Sequence, residues 1–260
     1  MDEFLVFEVE VFKVFVLVMV RIGGLIVAAP VLGSRNFPVI AKIGLAGLTA
    51  ALLTPGIAAL DQTLPSAAPP FAVLAIGESL IGLMMGFVMT LVFAAIQVGG
   101  QVMDMQSGFA LINVFNPAFE TQFPIFGFFL FIVAMLLLLI TNGHHLMLRA
   151  IVSTFERIPL GGFVVRPGLL LEVTRWGSAM FYDGMLIAAP VAASLLVAYF
   201  VMGLVGRVVP QIQLFAVGFP LTIGIALFVT AMSVGLYLTL LSGMFDRMFR
   251  DVSAMIGGMT

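Results

Sequence analysis

FAVLAIGESLIGLMMGFVMTLVFAAIQV, residues 71–98, decides the fold. At 1.5 Å rise per residue a helix needs about 20 apolar residues to cross the hydrocarbon core of a bilayer, and this stretch exceeds that with a single ionisable side chain, Glu78. Gly82 and Gly86 stand four apart, the small-xxx-small step that lets two helices approach backbone to backbone. That step can pair two helices of one chain or join subunits.

Five further apolar runs flank it, at 11–32, 39–60, 125–148, 179–205 and 214–241. The whole 260-residue chain is 62% hydrophobic and 9% charged, with a mean hydropathy of +1.22, far outside the range of soluble domains. An all-α integral membrane protein of about six long helices follows, because an open sheet cannot satisfy its edges in lipid and these runs are too long for barrel strands. The start, MDEFLVFEVEVF, is acidic where a secretory signal is basic, so the first run reads as retained.

Several runs are damaged. Pro190 and Pro220 fall inside the fifth and sixth, where each removes a backbone hydrogen bond and should kink or break its helix. Lys13, Arg21, Lys42, Glu78 and Asp183 lie in or near apolar runs, and a charge at mid-bilayer costs roughly 3 kcal/mol. Lys13 and Lys42 read as snorkelling side chains and Asp183 as a helix end. Arg21 and Glu78 must face protein or water. The stretch 149–177, with Arg149, Arg157, Arg166 and Arg175, suits a cytoplasmic face; six true spans would put both termini on that side, which the acidic start does not favour.

Composition also excludes functions. Thirteen acidic and eleven basic groups give a formal charge of −2 with no basic patch, which removes nucleic acid as a partner. There is no cysteine, hence no disulfide, thiolate metal site or thiol nucleophile. His144 and His145 are adjacent, so on a helix they diverge by about 100° and do not chelate one ion; they read as the interfacial end of the fourth helix. Asp104, Glu120 and Glu156 are dispersed, and no catalytic grouping or phosphate loop stands out. No enzyme and no cofactor is expected.

Between the third and fourth runs lies MQSGFALINVFNPAFETQFP, residues 105–124. It is apolar, yet Gly108, Asn113, Asn116 and Pro117 oppose a continuous helix. Irregular backbone at membrane depth persists only where protein buries it or it lines a cavity. Methionine and phenylalanine suit a seal that yields and closes, and a loop packed outside the bundle fits the composition equally well.

Four segments together resemble the FliR family of flagellar export-gate proteins, called SctT in virulence type III secretion. They are RIGGLIVAAPVLG (21–33), GQVMDMQSGFALINVFNPAFETQFPIFGFFL (100–130), NGHHLMLRAIVSTFERIPLG (142–161) and GRVVPQIQLFAVGFPLTIGIAL (206–227). The last is the most specific, with Gln213 where relatives often have Asn and Thr222 where many have Lys. The resemblance implies one tilted subunit of a helical export-gate assembly, one FliR with five FliP and four FliQ and FlhB attached, in the bacterial inner membrane at the flagellar basal body. Residues 1–178 would be a FliP-like front part and 179–260 a FliQ-like helical hairpin. Unfolded flagellar export substrates would pass without chemistry.

The same resemblance makes 106–122 a channel plug, with Phe109, Leu111, Ile112, Val114 and Phe115 as stopper, Asn113 and Asn116 within it, and Gly108 and Pro117 at its shoulders. Arg21, Glu78, Gly82 and Gly86 are assigned to assembly or structural packing, and Arg207, Pro210, Gly218, Phe219 and Pro220 to the hairpin that meets FliQ-like neighbours. The alternative is an ion-coupled secondary transporter with broken helices and a working carboxylate at Glu78. Its usual two matching halves are not evident between residues 1–130 and 131–260.

Overall fold

A computed structural model describes residues 2–34, 37–58, 64–65, 67–109, 124–164, 166–209 and 214–259. Among them are eight helices: α1 (Asp2–Ala28), α2 (Val39–Ala58), α3 (Ala68–Ser107), α4 (Ile125–Ile140), α5 (Gly143–Arg157), α6 (Gly168–Val208), α7 (Leu214–Met232) and α8 (Val234–Gly257). Four are long and apolar enough to cross a membrane, or up to six spans if the bent pairs α4–α5 and α7–α8 each count as one. These correspond to the six apolar runs.

Breaks fall where backbone chemistry allows them rather than at the prolines. Helix α6 continues through Pro190 and α7 through Pro220, contrary to a break at either residue. The sixth run bends instead by 62° at Ser233, between α7 and α8. The fourth breaks at Asn142, which takes the left-handed conformation (φ 56°, ψ 28°) that asparagine tolerates better than most residues. Its carbonyl then accepts the N–H groups of His145 (3.0 Å) and Leu146 (3.2 Å), starting α5. The two histidines therefore open α5 and do not end α4. Asp183 lies inside α6, not at a helix end.

Two helices far exceed one bilayer. With 40 residues in α3 and 41 in α6, each is about 60 Å long. Their extra turns, near Gly99–Ser107 in α3 and Gly168–Ser178 in α6, are polar enough to end an apolar run but contain nothing that stops a helix.

The described chain forms two compact units, with boundaries inside α3, α6 and α8. Unit 1 comprises 1–91, 142–176 and 247–260. In it α1 packs on α2, whose buried residues Ala46, Ala50, Thr54 and Ile57 form one stripe, leaving Ile40, Leu48 and Leu52 exposed. The turn after α1 is held by Lys42, whose Nζ donates to the carbonyls of Gly33 and Ser34, both at 3.0 Å. Lys42 thus clasps the turn between α1 and α2. Unit 2 comprises 92–141 and 177–246, and its core includes Phe93, Met103, Phe126, Leu130, Leu195 and Leu241.

Candidate functional site

The base of the irregular segment lies in unit 2. Helix α4 follows Pro124, which offers no side-chain cap, so the first N–H groups of α4 need acceptors from elsewhere. Asp104, near the end of α3 and 4% exposed, supplies them. Its Oδ1 accepts the N–H of Ile125 (3.0 Å) and of Phe126 (3.1 Å), and its Oδ2 accepts that of Gly127 (3.3 Å). A carboxylate at a helix N-terminus also meets the positive end of the peptide dipoles. The approach needs glycines: a Cβ on Gly100, one turn before Asp104, would overlap the backbone of Gly127.

Hydroxyls hold the other stem. The last carbonyls of α3 have no partner within the helix. Tyr199 of α6 donates its OH to the Gln106 carbonyl (2.5 Å), and Thr222 of α7 donates to that of Ser107 (2.8 Å). Gly108 then turns the chain out of the helix at φ +93°, a conformation strained for other residues, with the Phe219 ring against the space a Cβ would fill. The Phe109 ring sits edge-on to Phe126 at 5.6 Å between centroids. Gly108 and Phe109 thus form one end of a neck whose other end is Ile125–Gly127. Leu111, Ile112, Asn113, Val114, Phe115, Asn116 and Pro117 lie outside the described residues, as does Pro210.

Unit 1 holds a buried ion pair. Arg21 Nε donates to Glu78 Oε2, with both side chains at 0% exposure. Arg21 Nη1 donates to the Thr154 hydroxyl and the Ile158 carbonyl, both at 3.1 Å, and Glu78 Oε1 accepts the Gly161 N–H at 2.8 Å. The guanidinium lies over the Phe155 ring, 4.2 Å from its centroid. The pair therefore ties α1, α3, α5 and the turn after α5 together. Gly82 makes it reachable: a Cβ there would strike the Arg21 carbonyl, and one on Gly86 would lie 2.5 Å from the Ala28 Cβ. The Gly82/Gly86 step packs α3 on α1 of the same chain.

The remaining sequence candidates are peripheral to both clusters. Arg207 is exposed in the last turn of α6, Pro220 is exposed within α7, and a Cβ on Gly218 would meet the Met202 sulfur at 3.6 Å. Phe219 belongs to the neck through Gly108. Asp104, Tyr199 and Thr222 were not singled out for this role from sequence; the available signal was a helix start at Pro124 with no cap of its own. Among the described residues no three His, Asp or Glu side chains cluster to hold a metal.

The comparisons with known proteins follow the whole chain rather than one site. Residues 12–248 match the family described as bacterial export proteins, family 1. The flagellar biosynthetic protein FliR of Escherichia coli (strain K12) is 31% identical over 239 residues, 92% of this chain and 90% of its own. That of Bacillus subtilis (strain 168) is 30% identical over 262 residues, 96% and 98% of the two chains, and that of Pectobacterium carotovorum 33% over 237 residues. With membrane-length helices and a family match that takes in both units, the chain belongs to the FliR family of bacterial export proteins.

Proposed function

We propose that the protein is a core subunit of the flagellar type III export gate in the inner membrane. It joins FliP and FliQ, in a ratio of one to five and four, and contacts FlhB. Together they form a closed channel for unfolded export substrates, with residues 106–122 as its plug. The observation that carries this is family membership from residue 12 to 248, including the segment that flanks the neck on both sides. The neck supports the plug reading, because a stopper needs stems that do not wander. Residues 1–178 act as the FliP-like front part and 179–260 as the FliQ-like hairpin, with Arg207, Pro210, Gly218, Phe219 and Pro220 shaping that hairpin.

The surroundings of Glu78 weigh against the transporter reading. Both Glu78 oxygens accept hydrogen bonds, from Arg21 and from Gly161, which supports a packing role for this carboxylate over ion coupling. Native mass spectrometry after co-expression with FliP and FliQ tests the assembly: one copy in a ten-subunit particle is expected. A monomer or homodimer that ignores both partners refutes it. Deleting 106–122 should leave the particle intact and make reconstituted vesicles leak; an unchanged leak in an intact particle refutes the plug.

A further inference from the structure

We infer that Asp104 is a positioning residue for the plug: its carboxylate staples the two stems of segment 110–123 to each other, and the seal depends on that staple. The inference rests on the plug reading above. Between Asp104 and Ile125 the chain leaves one helix and begins another, and three N–H donors of the second converge on one side chain of the first. Such a crosslink across 21 positions fixes where the loop starts relative to where it ends.

The site is selective for aspartate. Asparagine keeps one acceptor oxygen but turns an NH2 toward either the paired donors or the Gly127 N–H, so a donor meets a donor. Glutamate adds a methylene where the Gly100 and Gly127 backbones touch. Tyr199 and Thr222 separately pin the carbonyls of Gln106 and Ser107, so the end of α3 stays with α6 and α7 when the staple is cut. Loss of the staple therefore loosens the α4 side of the neck, which keeps only its packing at Gly127 and Phe126, while leaving the α3 side in place.

The test is dye or ion leak from vesicles holding the co-expressed complex with FliP and FliQ. Asp104→Asn should raise leak about tenfold, the population change that accompanies loss of about 1.4 kcal/mol. A Cys pair, Asp104→Cys with Ile125→Cys, guards against mere misfolding, since the chain has no cysteine of its own. Assembled oxidised in a cysteine-free partner background, it should be tight, and reduction of the finished particle should open the leak. Equal leak in the oxidised and reduced states, while the 106–122 deletion leaks, overturns the staple and leaves the plug reading standing. A tight deletion particle overturns both.

Discussion

Removing the buried pair whole should cost less than its two halves, removed one at a time, add up to. Arg21 and Glu78 are both at 0% side-chain exposure, so neither can recruit water when its partner goes. Glu78→Gln preserves volume but sets an amide NH2 against either Arg21 Nε or the Gly161 N–H. Arg21→Met leaves a buried carboxylate with one hydrogen bond. Removing one partner of a buried pair costs about 3–5 kcal/mol. In the double variant Arg21→Met/Glu78→Met no charge remains. The Thr154 hydroxyl still donates to the Ile151 carbonyl at 2.6 Å, and the losses reduce to the Ile158 carbonyl and the Gly161 N–H. At about 1–3 kcal/mol each those cost about 2–6 kcal/mol, against about 6–10 for the two single changes added. Thermal unfolding of purified protein in mild detergent at one scan rate reads this out. For a chain of this size roughly 2–4 °C accompany each kcal/mol, so each single variant should melt on the order of 10 °C lower. The double should melt well above the additive expectation. Single variants within about 2 °C of wild type, or a strictly additive double, would refute the reasoning.

Gly82→Ala should lower the melting temperature sharply, because its Cβ meets α1 backbone that cannot move aside, whereas Gly47→Ala, with nothing within 4 Å, should be neutral or raise it slightly in the isolated chain. Phe155→Leu removes the ring beneath the Arg21 guanidinium and should cost about 1–2 kcal/mol, visible in the same melts. Arg207→Ala should lower the yield of complex with FliP and FliQ more than transport per complex, measured by native mass spectrometry and secreted substrate; normal yield with lost transport would reverse its assignment.

Hydropathy located the helices long enough to span because a preference for lipid is written into local composition. It set the ends of α3 and α6 too short because Gln101, Asp104 and Gln106, or Thr174 and Arg175, lower the apolar average without disfavouring a helix. Proline rules misplaced the breaks because a helix can forgo one N–H without ending, and the bend at Ser233 carries no strong local signature. Asn142-Gly143 did carry one, as a dipeptide suited to left-handed backbone. The Arg21–Glu78 pairing was half legible, since two charges in apolar runs demand partners, but nothing local says that the partners lie 57 positions apart. Asp104 was the least legible of all. A lone carboxylate looks idle until the uncapped helix it serves is brought beside it.

The 57-residue separation between Arg21 and Glu78 has a consequence for synthesis. Chains elongate at roughly 5–20 residues per second, so Arg21 reaches the membrane roughly 3–11 s before its carboxylate. During that interval the first span carries an unpaired guanidinium that costs about 3 kcal/mol in hydrocarbon. That cost is relieved only once α3 emerges, by which time α2 has emerged as well, so the pairing favours α1, α2 and α3 settling together over α1 settling alone.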